Sequence, residues 1–264
     1  MISENPRKYG NAPFEIAVIH GGPGAPGEMA PVAQWLSSEL GILEPLQTAM
    51  TIAGQLGELG NLLERYASLP VTLIGFSWGA WLSFLYAAKF PKFVKKLILI
   101  GSGPFEERYA GNIMKTRLGR LSDEDRAKVD HAVKILNNST STDRDRAFAE
   151  LGELLSKADD YDAIANDIEG TQSIDCNAEI FQNVWEEAAE MRMSGLLLEF
   201  GNLIQCPVIA IHGDYDPHPA EGVEKPLAKI LKDFRFILLK KCGHKPWIER
   251  QARDEFYRIL KNEL

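Results

Sequence analysis

The most constraining stretch of the sequence runs from Val71 to Phe90. An apolar run, Val71-Thr72-Leu73-Ile74, meets Gly75-Phe76-Ser77-Trp78-Gly79, and a helically spaced segment continues from Trp78 to Phe90, closed by Pro91. This order requires a strand that turns directly into a helix. Glycines on both flanks suit a turn too tight for side chains, with the serine hydroxyl pushed out beyond the strand end. The helix aims its N-terminus, which favours negative charge, at the same place. The five residues alone are a weak signal; the strand before them and the helix after give it weight.

The surrounding chain repeats the same alternation. Phe14 to Ile19 reads as a buried strand stopping at His20-Gly21-Gly22-Pro23-Gly24, Met29 to Leu40 as a helix, Gly41 to Leu46 as a weaker strand, Ile52 to Ala67 as a helix and Lys96 to Gly101 as a strand. After a gap the pattern returns: strand Cys206 to Ile211, helix Ala220 to Lys232, strand Phe234 to Leu239 and a last helix from Pro246 to Leu260. Alternation of this kind implies a parallel sheet with right-handed crossovers, and near-continuous apolar strands imply one covered on both faces. Between the two blocks, about Pro104 to Leu203, no strand is expected. This segment is rich in Glu, Asp, Arg, Ala and Leu, with breaks at 137–142 and 170–175, and Ser122-Asp123-Glu124-Asp125 opens a helix. The expected organisation is therefore a core of 1–103 and 204–264, interrupted by a helical cap of 104–203.

Composition excludes several classes. With 29 basic against 37 acidic residues, the net charge of −8 does not suit binding to a phosphate backbone. No run approaches the ~18 apolar residues of a membrane span, and residues 1–8 lack the apolar stretch of a secretory signal. Three scattered cysteines fit a reducing compartment rather than a disulfide framework or a clustered zinc site. The expectation is a cytoplasmic protein, monomer or homodimer, whose partner is a small molecule or short peptide and not nucleic acid or membrane.

Four motifs fall at strand ends, where open α/β sheets build their sites. Ser77 is the candidate nucleophile. The glycine loop after the first strand offers the Gly22 N–H, and the residue after the serine offers the Trp78 N–H, as two donors for a developing oxyanion. His212-Gly213-Asp214-Tyr215-Asp216 supplies an acid, Asp216 being preferred over Asp214 because it lies further beyond the strand. Among five histidines, His244 in Cys242-Gly243-His244-Lys245-Pro246 is best placed as general base; His20 and His212 read as structural hydrogen-bonders and His131 as a surface residue. Gly75-Phe76-Ser77 lacks the lysine and spacing of a phosphate loop, and no metal, nucleotide or redox cofactor is called for.

In this chain order the motifs resemble the α/β-hydrolase superfamily, and His20-Gly21-Gly22-Pro23-Gly24 with Gly75-Phe76-Ser77-Trp78-Gly79 is similar to its proline iminopeptidase-like branch. The resemblance implies a Ser77–His244–Asp216 triad, Gly22 and Trp78 as the oxyanion hole, and a cis peptide before Pro23. Since only about a dozen residues precede the first strand, the family's opening hairpin is expected to be missing, leaving about six strands. Phe76 stands where proline iminopeptidases typically carry glycine. The expected activity is hydrolysis of a small ester, thioester, lactone or amide through an acyl-enzyme. The alternatives are an aminopeptidase with Glu186 or Glu190 holding the substrate amine, and a non-catalytic ligand-binding protein of this fold. Trp81, Phe105, Trp185 and Glu186 are the candidate substrate-binding residues.

Overall fold

In the computed structural model, residues 4–138, 140–164 and 176–264 are described. Seven strands form one sheet: β1 Arg7–Tyr9, β2 Phe14–Ile19, β3 Gly41–Glu44, β4 Val71–Phe76, β5 Val94–Ile100, β6 Val208–Gly213 and β7 Phe234–Leu239, in the order β1-β3-β2-β4-β5-β6-β7. β2 to β7 are parallel, and β1 pairs antiparallel with β3. The sheet thus has one strand more than the sequence suggests. The extra strand is no hairpin with β2 but a three-residue edge, Arg-Lys-Tyr, too short and polar to announce itself.

The side-chain period of a strand sends successive residues to opposite faces. In β5, Leu97 and Leu99 enter the core beneath helices α2 (Ile52–Tyr66) and α3 (Trp78–Lys89), while Ile98 and Ile100 enter a second core on the other face. That second core holds α1 (Ala30–Leu36) and residues 247–260. Both faces are therefore dry, which is why the strands read as unbroken apolar runs. α3 itself is buried from Trp78 through Ala88.

Between β5 and β6 the described residues are helical: α4 Ile113–Arg120, α5 Asp123–Leu136, α6 Arg144–Asp159, α7 Ala178–Met193 and α8 Leu196–Glu199. Ser122 caps α5 through its hydroxyl, as its sequence suggests, and Asn177 caps α7. α4, α5 and α6 share a small separate apolar cluster built on Leu121, Val129, Leu151 and Leu154. The break expected at 170–175 lies outside the described residues. After β6 comes α9 (Glu221–Ile230); after β7 the expected single helix is instead a 3-10 turn, Pro246–Ile248, followed by α10 (Arg253–Glu263). Among the described residues no helix is long and apolar enough to cross a membrane.

Candidate active site

β4 ends at Phe76, and the chain turns at Ser77 with φ 51° and ψ −113°, a left-handed conformation that costs energy for any residue but glycine. Both flanking glycines are required by contact. A Cβ on Gly75 would stand 2.2 Å from the Gly79 carbonyl oxygen, and one on Gly79 would stand 2.3 Å from that of Ile19. The Ser77 N–H is tied to the Ile100 carbonyl at 2.9 Å. Local sterics and the two neighbouring strands thus hold the serine beyond the sheet edge, at the N-terminus of α3.

The glycine loop after β2 takes a compact form. Gly22 and Gly24 have φ of +40° and +78°, and the Ala25 N–H donates to the Gly22 carbonyl at 2.9 Å. The Asn177 N–H donates to the Gly24 carbonyl at 2.8 Å, joining this loop to the helical insertion. The cis peptides precede Pro6, Pro13 and Pro70; the bond before Pro23 is trans, contrary to the expectation carried by the resemblance. His20 is fully buried, its Nδ1–H donating to the Gly21 carbonyl and its Nε2 accepting from the Gln47 N–H. Burial lowers it to about 4, so it is a neutral strut.

Beyond β6, Asp216 is buried and gathers three histidines. His244 Nδ1 lies 2.6 Å from Asp216 Oδ2 and His218 Nδ1 lies 2.7 Å from Oδ1, while His212 Nε2 donates to the His218 carbonyl at 2.8 Å. The His218 N–H also donates to Asp216 Oδ1 at 2.9 Å. Burial opposes charge on Asp216, yet the surrounding imidazoles hold it well below the usual carboxylate range. For His244 burial works against the cation, but the charge and hydrogen bond of Asp216 outweigh it and leave the group above its ordinary value. Burial wins at His218, which falls to about 4. Asp214 does not reach a histidine; it accepts from the Cys242 N–H at 3.3 Å and faces Lys240. His131 is exposed, as expected.

The His244 loop is held by a buried carboxylate and by the end of α6. Glu249, fully buried, accepts from the N–H groups of Gly243, Tyr161 and Asp162 at 2.7 to 2.8 Å, and the His244 N–H donates to the Asp159 carbonyl at 3.0 Å. A Cβ on Gly243 would stand 2.1 Å from that same carbonyl oxygen. One carboxylate therefore binds the His244 loop to the end of α6. The sequence reading missed Glu249, and only its position five residues after the candidate base marks it.

Ser77, His244, His218, Gly22 and Trp78 all line one cavity of about 620 Å³ between the sheet edge and the insertion. Phe148, Leu151, Phe181 and Trp185 give it apolar lining, alongside charged groups that include Glu28, Arg117, Arg144 and Arg192. The other candidate substrate contacts stand outside this lining. Trp81 and Phe105 are buried and do not line the cavity: Trp81 donates to the Gly103 carbonyl and stacks on Trp185 with ring centroids 5.8 Å apart, and Phe105 packs on Phe84. Glu186 and Glu190 are exposed and outside the lining, because their positions on α7 face away while Trp185 faces in.

The sequence family described as alpha/beta hydrolase fold matches residues 23–251. No curated protein matches the sequence significantly. Among solved structures, an alpha/beta fold family hydrolase from Bacillus anthracis str. Sterne superposes with a TM-score of 0.73 at 13% identity, covering 97% of this chain and 94% of that one. The enol-lactonase from Burkholderia xenovorans LB400 gives 0.61 at 17% identity, covering 97% and 94%. A putative lipase from Acinetobacter baumannii AYE gives 0.64 at 15%, covering 97% and 86%. At these identities the likeness is one of fold.

Proposed function

The chain belongs to the α/β-hydrolase fold family, and from that premise we propose that it is a serine hydrolase acting on a small ester, thioester, lactone or amide. The observation that carries this reading is the 2.6 Å contact of His244 Nδ1 with buried Asp216, on a ring that shares its cavity with the strained Ser77. With Nδ1–H donating to the carboxylate, the neutral imidazole keeps a lone pair on Nε2. His244 takes the Ser77 proton as the hydroxyl attacks the carbonyl, and Asp216 steadies the imidazolium. The tetrahedral oxyanion takes hydrogen bonds from the Gly22 and Trp78 N–H groups, at the positive end of α3. His244 then protonates the leaving group, and water repeats the sequence on the acyl-enzyme to release the acid. The insertion acts as a cap whose apolar residues give an acyl chain a surface to pack against. Glu186 and Glu190, the acids an aminopeptidase reading would use, are exposed and stand outside the cavity lining, which favours the esterase-like reading.

Intact-mass analysis after fluorophosphonate treatment tests this. One adduct on the wild type, absent from Ser77→Ala, is the expected result. A folded wild type that takes no adduct would leave the chain a ligand-binding member of the fold.

A further inference from the structure

Asp216 is shared by two imidazoles, and triad chemistry uses only one of them. His218 lies beside His244 with ring centroids 4.6 Å apart, and it lines the cavity. Its Nδ1 is committed: the neighbouring Asp216 oxygen, 2.7 Å away, can only accept, so Nδ1 carries the proton. The backbone N–H of the same residue donates to the same oxygen, which fixes the ring's position relative to the carboxylate. Nε2 is therefore a bare acceptor, and no donor among the described residues bonds to it. Nor is it a buried unpartnered atom, unlike His212 Nδ1 nearby. A second cation 4.6 Å from the working base would be repelled by it, so His218 stays neutral while His244 charges.

Resting on the serine hydrolase reading, we propose that His218 is a specificity-determining residue whose Nε2 accepts a hydrogen bond from a hydroxyl or amide N–H of the substrate, close to the scissile carbonyl. The preferred substrates are then hydroxylated or amide-bearing esters rather than plain alkyl ones. An acceptor beside His244 complements a cavity whose lining includes the apolar Phe148, Leu151 and Phe181. A substrate lacking the donor leaves the Nε2 lone pair without a partner in a closed site, and that loss is the source of discrimination.

The test compares matched esters: p-nitrophenyl 3-hydroxybutyrate against p-nitrophenyl butyrate, and 2-hydroxyethyl against ethyl butyrate. Wild type is expected to favour the hydroxylated member of at least one pair by about tenfold in kcat/KM. His218→Asn keeps a donor for Asp216 Oδ1 and removes the distal acceptor; it is expected to collapse that ratio toward one. His218→Phe removes both and is expected to lose the ratio together with overall rate. Equal use of both members by wild type overturns the proposal without needing any variant, and so does a His218→Asn enzyme that slows on both members alike with its ratio intact. Fluorophosphonate labelling of Ser77 in the same wild-type sample separates this failure from failure of the serine hydrolase reading.

Discussion

The two loops that build the site are held in opposite ways. The serine turn is fixed within the sheet: Gly75 and Gly79 leave room only for hydrogen, and Ile100 and Ile19 close it from adjoining strands. The histidine loop is fixed through the insertion: the Glu249 carboxylate, close by in the chain, also accepts from Tyr161 and Asp162, and the Asp159 carbonyl at the end of α6 accepts from His244. One half of the site is thus determined by the sheet, and the other depends on the insertion being docked. Ser77 should keep its position when the insertion loosens, while His244 should not.

The sharpest break falls on the acid. Asp216→Asn withdraws the acceptor that sets the His244 tautomer, and a loss in kcat of about 10⁴ is expected. Asp214→Asn, on a carboxylate that meets only the Cys242 N–H and Lys240, should leave the rate close to native. Steady-state kinetics on an activated ester reads both. The pH profile carries the same information. His244 works as a base only when neutral and its pKa is raised, so kcat/KM should fall as pH drops through a value above the ordinary 6.5. In Asp216→Asn that limb should move to lower pH.

Next in size is the half determined by the sheet. Gly79→Ala places a methyl 2.3 to 2.4 Å from the carbonyl oxygens of Ile19 and His20, and backbone cannot yield as a side chain does. The expected cost is on the order of 3 kcal/mol, with loss of fluorophosphonate labelling, read by denaturant titration alongside mass analysis. Glu249→Gln tests the half that depends on the insertion. It replaces a carboxylate that accepts three backbone bonds with a group offering one oxygen, at a cost of about 2 kcal/mol. Here turnover should fall further than labelling, because labelling by a reactive probe asks less of the base. Equal loss of both would show that the two halves are not independent.

The same division explains what could be read in advance. The parallel strands were legible because both faces of the central sheet are dry, so β4, β6 and the last four residues of β5 are almost wholly apolar. The serine turn was legible because its two glycines stand between an apolar strand and a helix, and the positions of Asp216 and His244 beyond strand ends could be read from the apolar runs before them. β1 was not: its three residues are ordered by pairing with β3 rather than by any pattern of their own. Glu249 was hidden because its three partners lie at Gly243, Tyr161 and Asp162, a union that no spacing reveals. Glu186 was misplaced for a related reason. The side of α7 facing the cavity is chosen by the stacking of Trp185 on Trp81, which depends on how the insertion sits.

The smallest expected effect lies at the seam between the halves. Asp160, next to the carbonyl that holds the His244 loop, is raised from 3.8 to about 6, chiefly by burial and despite Lys245, and its Oδ1 has no hydrogen-bond partner. The folded state therefore holds this proton more tightly than the unfolded chain does. Stability from the protonated form is complete below pH 4, drains away as pH rises toward 6, and changes no further above it. Asp160→Asn removes the ionisation and should raise stability at pH 8 by on the order of 1 kcal/mol, discounted because the carboxyl is not wholly enclosed. At pH 4 the variant should match the wild type, since the native carboxyl is then already neutral. Thermal melts at the two pH values decide it. A gain at pH 8 with faster turnover would mean that the buried charge loosens the His244 loop, while a gain without change in rate would place its cost in the insertion alone. Destabilisation at pH 8 would show instead that attraction to Lys245 outweighs burial, making this seam an ion pair that joins the cap to the base.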